Sequence, residues 1–316
     1  MSELIQDEWP LVWVVVVGYN NSADSVECLH SLAESTYPHM RTVYVDNGSE
    51  EAEFGQVLAQ VQGVAILRHP ENVGVARGFN SGMAYALKQG ADRVIVYNND
   101  TRSDPEAITR MVERAQALPD VGIVIPKVYY YDHPASIWAA GSRYRRFPPA
   151  IVLNKTSDDD DGRFDAMEDI EFAPYCVALF TRTALLEIGL LDTVYRFFYE
   201  DYDLGLRARA AGYRMVFAPT AHIWHKISKT IKINKAEFWR IYGRSHRIFC
   251  RKFQKHPYVQ GFGNQVYLLA RTLYEGKPKG LLAFRQGLRE GRQAELGVEP
   301  TWQDADEPDM LVVREG

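Results

Sequence analysis

The sequence is poor in cysteine and has no long apolar run. Its three cysteines, Cys28, Cys176 and Cys250, lie far apart, without the spacing of a zinc site or a disulfide framework. We therefore expect free thiols in a reducing compartment. The longest apolar stretch, Leu11 to Val17, is well short of the ~20 residues that span a bilayer. The acidic N-terminus MSELIQDEWP lacks the order of a signal peptide, so we predict a cytoplasmic protein.

Two common nucleotide-binding motifs are also missing. The first predicted strand ends in GYNN and is not followed by GxGxxG, which removes the main support for a dinucleotide-dependent oxidoreductase. The sequence GxxxxGK[ST] is absent as well, which argues against a P-loop nucleotide hydrolase. Any nucleotide that this chain binds must be held by another arrangement.

The net charge of -5 is unevenly distributed. Lys226 to Arg292 contains 16 lysines and arginines and three acids, so the rest of the chain is strongly acidic. Basic residues interleaved with aromatic ones are typical of helices on anionic membrane surfaces, and 226–292 is a candidate for such a contact. The alternative is that its apolar faces pack on the rest of the chain or on a second subunit. We find no motif for nucleic-acid binding.

Strand and helix patterns alternate from Val12 to Pro126, which predicts a three-layer α/β/α sandwich with a mostly parallel sheet. The predicted strands are VWVVVVGY, RTVYVD, VAILRH, DRVIVYNND and VGIVIP. The predicted helices are one capped by Ser22 or Asp24, Glu51–Val61, Ala76–Gln89, one starting near Pro105, and three C-terminal helices at Lys235–Phe253, Phe262–Glu275 and Leu281–Glu295. We expect Lys127–Asp169 to be irregular, with Asp158–Asp161 in a solvated loop, and a second ordered block at Glu171–His225.

Polar residues follow three of these strands, in GYNN, DNGS and YNND. Each alone is an ordinary turn, because Asn, Asp and Gly are the residues that turns require. Ligands of open α/β sheets bind at the carboxyl ends of the strands. The convergence of three polar strand ends on one edge therefore indicates a ligand site.

The segment NVGVARGFNSG places Gly74, Gly78 and Gly82 four residues apart. Interior helix glycines cost about 1 kcal/mol each relative to alanine, so a close approach of backbones is expected there. One interpretation is tight helix–sheet packing. The other adds a ligand near the helix N-terminus, with Arg77 available for a phosphate. Both remain open at this point.

Asp100 ends a strand beside Asn98 and Asn99. One carboxylate with amides is a poor metal site by itself, but it is adequate where a diphosphate completes the coordination shell. His225 could add a nitrogen ligand and favour manganese. The alternative is a structural histidine.

The stretch FYEDYD holds three acids, Glu200, Asp201 and Asp203, directly behind two aromatic residues. Acids favour the N-terminus of a helix for electrostatic reasons alone, and Asp203 is expected to start one. The same acids would also suit an active site. The stretch by itself does not separate the two interpretations.

Taken together and in order, six segments resemble the family 2 glycosyltransferases with a GT-A fold. They are VVVVGYNN, VDNGS, NVGVARGFNSG, YNND, GLLDTVYRFFYEDYDLGLRARAAGYR and HIWH, and they cover about residues 12 to 250. The resemblance is to the bacterial rhamnosyltransferase and galactofuranosyltransferase branches. It implies a Rossmann-like GT-A catalytic domain at 1–225, with a nucleotide-binding half (12–126) and an acceptor half (127–225), and a helical extension at 226–316.

The resemblance also implies roles for individual residues. Binding of the nucleotide sugar falls to Gly18, Tyr19, Asn20, Asp46, Asn72, Gly74, Arg77, Asn80, Asn98 and Asn99. A divalent ion, Mn²⁺ or Mg²⁺, would be held by Asp100 and His225. The catalytic residues would be Asp201, as the base, and Glu200. Trp224 and Glu200 would face the acceptor sugar.

The activity implied is inverting, metal-dependent transfer of a sugar such as rhamnose or galactofuranose in cell-surface polysaccharide synthesis. The donor would be a UDP- or dTDP-sugar, and the acceptor a glycan or a polyprenyl-linked sugar. The QxxRW element of processive members is missing, and Arg244 lies roughly where it would stand as a candidate phosphate contact, so transfer is expected to be non-processive. A sugar nucleotidyltransferase and a non-catalytic nucleotide-sugar-binding subunit remain alternatives, and the oligomeric state is open.

Overall fold

The computed structural model describes residues 9–146, 149–156, 158–227, 235–253, 266, 270, 278–297, 300–303, 305 and 310–313. The strands are β1 Val12–Gly18, β2 Met40–Asp46, β3 Val64–Arg68, β4 Arg93–Asn98, β5 Thr101–Ser103, β6 Val121–Tyr130, β7 Ile137–Ala139, β8 Ser142–Arg146, β9 Pro149–Leu153, β10 Val177–Thr181, β11 Arg214–His225 and β12 Met310–Val313. The helices are α1 Ser22–Ala33, α2 Glu51–Gln60, α3 Val75–Lys88, α4 Ala107–Ala117, α5 Arg182–Ile188, α6 Glu200–Ala210, α7 Lys235–Phe253 and α8 Pro278–Gln293.

Ten of the described strands form one mixed sheet. Its order is β12-β3-β2-β1-β4-β10-β6-β11-β5, with β7 beside β6. The neighbours β3, β2, β1 and β4 are parallel, as the sequence predicts. Strand β10 lies antiparallel between β4 and β6, so β6 and its parallel partner β11 again run in the direction of β1. Six strands thus share one direction, and their carboxyl ends meet at one edge of the sheet: β3, β2, β1, β4, β6 and β11.

The sheet separates two apolar cores. Side chains of β1 alternate between them: Trp13 and Val15 face the core under α3 and α6, while Val14 and Val16 face the core under α1 and α4. All four are at most 4% exposed. A strand buried on both faces reads as a continuous apolar run, which explains the sequence VWVVVV.

The small-residue face of α3 packs against β1 and β2. A Cβ on Gly82 would overlap Cγ1 of Val15, and a Cβ on Gly78 would lie 3.0 Å from Cγ1 of Val17. These glycines therefore bring the helix backbone onto the sheet. The packing interpretation of NVGVARGFNSG is correct, and it leaves the ligand interpretation untested at the helix N-terminus.

The stretch Lys127–Asp169 is more regular than its composition suggests. Strand β6 continues to Tyr130, and β7 and the β8–β9 hairpin follow within the range expected to be irregular. Strands β7, β8 and β9 are only three to five residues long, so each leaves too short a pattern to detect. The acid run is also not wholly solvated, since Asp160 lies 2.6 Å from the buried ammonium of Lys127.

Several helix ends differ from the predictions, among them the starts of α1, α6 and α8. Neither Ser22 nor Asp24 caps α1, because the N-cap is Asn21 in the left-handed region at φ 55°. Helix α6 begins at Glu200, which places Asp203 inside its first turn rather than at its start. In the C-terminal region α7 has the predicted bounds, and α8 begins three residues before the predicted Leu281. The predicted helix at 262–275 lies outside the described residues except for positions 266 and 270.

The described part of the chain contains no helix that is both long and apolar enough to cross a membrane.

Candidate active site

The sheet register brings the polar ends of three strands side by side. Gly18 at the end of β1 is opposite Asp46 on β2, and Val17 is opposite Asn98 on β4. Gly18 is buried and serves packing, because a Cβ there would overlap the hydroxyl of Tyr44. The convergence predicted from GYNN, DNGS and YNND is thus present in the structure.

Asn20 joins the first two strand ends. Its backbone N–H donates to Oγ of Ser49 at 2.8 Å, and its Oδ1 accepts from the N–H of Glu50 at 2.9 Å. It adopts a left-handed conformation at φ 52°, which asparagine tolerates better than most residues. The neighbouring Tyr19 is 43% exposed, so its ring faces solvent at the site.

Asp46 is a fully buried carboxylate that is only half satisfied. Its Oδ2 accepts from the N–H of Ser49 and from Nε of Arg68, each at 3.2 Å. Its Oδ1 has no hydrogen-bond partner. Burial raises the pKa of Asp46 above its ordinary value, although Ser49 and Arg68 partly offset this. An unpaired buried acceptor needs a donor, and a ligand N–H would provide one.

Asn47 shapes the turn before α3, and its importance is not evident from the sequence. Its Oδ1 accepts from the N–H of Val73 at 3.1 Å, and its Nδ2 donates to the carbonyl of Gly74 at 3.2 Å. Asn72, which is exposed, accepts from the N–H of Gly74 at 3.0 Å. Gly74 has φ 89°, a conformation that favours glycine. The only available signal is that asparagine and glycine are typical of turns.

Asn80 and Arg77 differ sharply in accessibility. Asn80 is 2% exposed, and its amide donates to the carbonyl of Leu191 at 2.8 Å and accepts from the N–H of Leu191 at 3.0 Å. This side chain therefore ties α3 to the segment after α5, and its hydrogen-bonding groups are engaged there. Arg77 is exposed on the first turn of α3, at the edge of the sheet.

The segment Asn98–Asp100 is held from both sides. The backbone N–H of Asn98 donates to the carbonyl of Cys176 at 2.7 Å. Nδ2 of Asn99 donates to Oγ of Ser25 at 2.8 Å, which ties the turn to α1. Asp100 is 6% exposed, and its Oδ1 lies 3.1 Å from Nε2 of His225 at the end of β11. The structure thus brings together the two residues predicted to bind metal, 125 positions apart in sequence.

The Asp100–His225 pair has a suitable donor set for a divalent cation. Two ligands on neighbouring octahedral positions, each about 2.1 Å from the ion, lie about 3 Å apart, which matches the observed 3.1 Å. Burial lowers the pKa of His225, but Asp100 and the neighbouring Cys176 outweigh it and raise this pKa to about 10. Metal binding must therefore displace a proton from the imidazole. Within the described ranges no group of three His, Cys, Asp or Glu residues could hold an ion.

Glu200 and Asp201 form the first two positions of α6. They follow Phe198 and Tyr199, both in the left-handed region at φ 69° and 73°. Burial raises the pKa of both carboxyl groups, and the charge of Asp201 raises that of Glu200 further. Asp201 accepts from the N–H of Tyr202 at 2.8 Å, while Oε2 of Glu200 is buried without a partner. Raised pKa values in a carboxylate pair are typical of catalytic acids and bases.

Two consecutive residues connect this pair to the Asp100–His225 pair. The backbone N–H of Tyr175 stabilises the charge of Asp201, and the side chain of Cys176 interacts with His225. The sequence does not indicate a function for either residue, because both directly precede the apolar strand β10. Their adjacency places the candidate base and the candidate metal ligands in one region.

Trp224 does not share the orientation of His225. Side chains alternate along β11, so Trp224 packs against the core under α6 while His225 lies on the other face. Its indole stacks on Tyr129 and lines a cavity of about 460 Å³. The cavity is also lined by Pro134, Ala135, Asp159, Asp160 and His222. Trp224 and Glu200, both among the described residues, do not contact each other directly. The role at the acceptor predicted for both therefore has no support from a shared contact.

Comparison with known proteins adds a family and several relatives. The profile of the family described as Glycosyl transferase family 2 matches residues 13–189, more than half of the chain. An N-acetylglucosaminyl-diphospho-decaprenol L-rhamnosyltransferase of Mycobacterium tuberculosis is 24% identical over 75% of this chain and 82% of its own length. The galactofuranosyltransferase GlfT2 of Mycolicibacterium smegmatis is 23% identical over 68% of this chain and 36% of its own.

Two solved structures show the same fold. A mannosyltransferase from Pyrobaculum calidifontis, in complex with GDP-Man and Mn²⁺, matches 92% of this chain and 77% of its own with a TM-score of 0.54 and 17% identity. GalNAc-T7 with UDP, GalNAc and Mn²⁺ matches 94% of this chain and 56% of its own with a TM-score of 0.57 and 12% identity. The predicted GT-A fold is confirmed.

Proposed function

Because the chain belongs to glycosyl transferase family 2, we propose that it is an inverting, metal-dependent glycosyltransferase whose base is Asp201. One observation carries this proposal above the others. The carboxylate pair with raised pKa values is joined through Tyr175 and Cys176 to the Asp100–His225 pair. A base and a diphosphate-binding centre in one region are the two components that direct displacement at an anomeric carbon requires.

The donor is a nucleoside diphosphate sugar with a uracil or thymine base. Oδ1 of Asp46 is buried and unpaired, so it is available to accept from the imide N–H that both bases present. Tyr19 and Asn20 lie on the neighbouring strand end, where the base and ribose would contact them. Asn98 would lie near the ribose, and Arg77 is accessible to the diphosphate.

Asp100 and His225 are the residues that would hold the divalent ion. When bound, Mn²⁺ or Mg²⁺ supplies positive charge that neutralises the departing diphosphate. Both side chains are at most 8% exposed, so their positions are set by the sheet. The Mn²⁺ in the two structures with the same fold supports this choice.

The chemical step uses the chain's own carboxylates. Asp201 removes the proton from an acceptor hydroxyl, and that oxygen forms a bond to the anomeric carbon. The bond from this carbon to the diphosphate oxygen breaks at the same time, the electron pair leaves with the nucleoside diphosphate, and the configuration inverts. Oε2 of Glu200, which has no partner in the protein, would accept from a second hydroxyl of the acceptor.

The relatives support a choice of sugar and acceptor. A rhamnosyltransferase acting on N-acetylglucosaminyl-diphospho-decaprenol and a galactofuranosyltransferase both resemble this chain. We therefore propose rhamnose or galactofuranose as the transferred sugar, and a glycan or polyprenyl-linked sugar as the acceptor. Trp224 remains a candidate for contact with a more distant part of that acceptor.

A lipid-linked acceptor would require contact with a membrane, and α8 offers a surface for it. The basic residues of α7 mostly engage the protein itself: Arg244 donates to the carbonyl of Val194 at 2.7 Å, and Arg251 donates to that of Gly291 at 2.8 Å. In contrast, α8 exposes Arg285, Arg289 and the apolar Leu282, which is 66% exposed. We propose this face, rather than all of 226–292, as the contact with anionic lipid.

Calorimetric titration of UDP and dTDP, each with and without Mn²⁺, tests the donor site. We expect at least one nucleotide to bind, and Mn²⁺ to strengthen that binding tenfold or more. Asp100→Ala should remove the manganese effect and leave metal-free binding unchanged. Absence of binding by a protein with intact circular dichroism would contradict the proposal. Turnover of dTDP-rhamnose or UDP-galactofuranose would separate an enzyme from a non-catalytic binding subunit.

A further inference from the structure

Helix α7 contacts the segment that leads into the candidate catalytic pair. This segment, residues 192–199, is the later part of the connection from α5 to α6. Oγ of Ser245 donates to the carbonyl of Phe197 at 2.7 Å. The Tyr199 hydroxyl lies 3.1 Å from the Tyr242 hydroxyl and 3.0 Å from Nδ1 of His246. Helix α7 therefore holds this segment through backbone and side-chain contacts close to Glu200.

The segment needs such support because its backbone is strained. Phe198 and Tyr199 are consecutive non-glycine residues with positive φ, at 69° and 73°. Bulky residues rarely occupy this region, and they remain there only where surrounding contacts fix them. Tyr199 is also the N-cap of α6, and it provides no side-chain cap. The direction in which α6 starts, and hence the position of Asp201, depends on contacts from outside the segment.

Lys252 of α7 connects the two ends of this segment. Its ammonium lies 2.7 Å from Oδ2 of Asp192, at the start of the segment, and 2.6 Å from Oδ2 of Asp203, in the first turn of α6. Both carboxylates are buried, at 3% and 0% exposure. Asp203 also accepts from Nε of Arg207 at 2.7 Å and from the Tyr195 hydroxyl at 3.1 Å. The capping role expected for Asp203 is thus replaced by a buried ion-pair network.

The charges in this network are balanced by Lys252. Two buried carboxylates face two cations, and removal of one partner of a buried pair leaves an uncompensated charge. Arg207 pairs with Asp203, whereas Lys252 is the only cation of the described residues that pairs with Asp192. The other oxygen of Asp192 accepts from the N–H of Val194 at 2.9 Å. Loss of the ammonium would therefore free Asp192 to move toward solvent, and the start of α6 would move with it.

We infer that Lys252, together with Ser245, is a positioning residue for Asp201, so the C-terminal region forms part of the active site. This inference rests on the proposed function for its kinetic consequence, but its structural basis is independent of it. A displacement of about 1 Å in a reacting group can reduce a rate about 100-fold. The effect should fall on kcat, because the residues proposed for the donor lie on other elements.

Hydrogen–deuterium exchange tests the inference without any ligand. In Lys252→Met, amides of residues 194–204 should exchange at least ten times faster than in the wild type, while amides of β1 and α1 are unchanged. Lys252→Arg keeps the charge and should restore slow exchange. Arg251→Met is the matched control, because Arg251 neighbours Lys252 on α7 but binds carbonyls of Gly291 and Ala294. It should loosen the contact between α7 and α8 and leave 194–204 protected.

Kinetics with dTDP-rhamnose, or with UDP-galactofuranose if only that donor turns over, provide the second measurement. Lys252→Met should lower kcat 10- to 100-fold with the donor KM changed less than threefold, and Lys252→Arg should recover most of kcat. Arg251→Met should keep kcat within twofold. Faster exchange with no turnover of either donor, even in the wild type, would contradict the proposed function but retain the positioning role.

Two results would overturn the inference. One is unchanged exchange at 194–204 in a folded Lys252→Met protein, and the other is an unchanged kcat in the same protein. If this variant does not fold, Ser245→Ala replaces it, because it removes a single hydroxyl and keeps the ion pairs. It should raise exchange at 197–201 and lower kcat three- to tenfold, and the absence of both effects would overturn the inference in the same way.

Discussion

Asp201 and His225 are joined through two consecutive residues, since the backbone N–H of Tyr175 stabilises the Asp201 carboxylate and the side chain of Cys176 interacts with the His225 imidazole. Adjacent Cα atoms are about 3.8 Å apart, so the two functional groups are held in one region by a single peptide unit. The two sites are therefore held close together by Tyr175 and Cys176, and single changes in Asp201 or His225 should separate their roles.

Asp201→Asn should abolish transfer and leave nucleotide binding nearly intact. The amide cannot accept the proton of the acceptor hydroxyl, and general base catalysis contributes about 10²–10⁴-fold to a rate. We therefore expect kcat to fall by about 10²- to 10⁴-fold. Calorimetry should give a Kd for UDP or dTDP within threefold of the wild type. A folded variant that no longer binds nucleotide would assign Asp201 to the donor site instead.

On the acidic limb of the pH profile, kcat should begin to fall at a higher pH than an ordinary aspartate would cause. Burial raises the pKa of Asp201, and the base acts only when it is deprotonated, so activity is lost as pH falls through this raised pKa. The limb should therefore lie above the value of about 3.9 that is ordinary for aspartate. Because the charge of Asp201 raises the pKa of Glu200, Glu200 is still protonated while Asp201 titrates, and Glu200→Gln should leave the limb in place. A wild-type limb near pH 4 would argue that Asp201 is not the base.

Asp46→Asn should weaken binding of UDP and dTDP and reduce base selectivity. A hydrogen bond to a charged acceptor contributes roughly 1.5–3 kcal/mol, which corresponds to a loss of about 10- to 100-fold. The wild type should also prefer UDP to CDP, because cytosine presents an acceptor where uracil presents the imide N–H. The amide of the introduced asparagine can donate to that acceptor, so the ratio of UDP affinity to CDP affinity should fall. An unchanged UDP-to-CDP ratio would place the base elsewhere.

Charge reversal on α8 should reduce binding to anionic vesicles. Each basic residue near such a surface contributes about 1 kcal/mol at moderate salt. Arg285→Glu with Arg289→Glu should lower sedimentation with phosphatidylglycerol vesicles at least tenfold, and binding to phosphatidylcholine should be weak throughout. The double variant Arg41→Glu with Lys88→Glu changes the net charge equally on other exposed surfaces. An equal loss in that control would indicate a general charge effect, which would contradict a specific role of α8.

Local periodicity predicts much of this fold. The run from Val12 to Val17 predicts a strand buried on both faces, because a central parallel strand has no solvent-facing side. The repeat of Gly74, Gly78 and Gly82 predicts a close approach of backbones. At Gly78 and Gly82 this is the packing of α3 on β1, which only the missing Cβ allows. Helix α7 has the predicted bounds because its apolar stripe continues through several turns. Each of these signals lies within a few turns of chain.

The parts that could not be predicted depend on contacts between distant segments. Strand β10 has the apolar pattern of any buried strand, and nothing in its sequence indicates an antiparallel position between β4 and β6. Asp203 lies at the start of a helical pattern and resembles a cap, whereas one of its ion-pair partners, Lys252, is 49 positions away. Oδ1 of Asp46 is unpaired because the surrounding elements bury it, and the local sequence DNGS does not indicate that burial. The roles of individual site residues therefore stay predictions until tested.

Strand β12 covers the outer edge of β3, and this edge is exposed while the chain is being synthesised. It pairs antiparallel with β3 from Met310 opposite Arg68 to Val313 opposite Ala65. During translation the outer edge of β3 thus stays open while some 240 further residues are added, and an unpaired strand edge is a template for pairing with other chains. We expect ribosome-bound nascent chains that stop before β12 to be aggregation-prone, so a strand that is made late protects one that is made early.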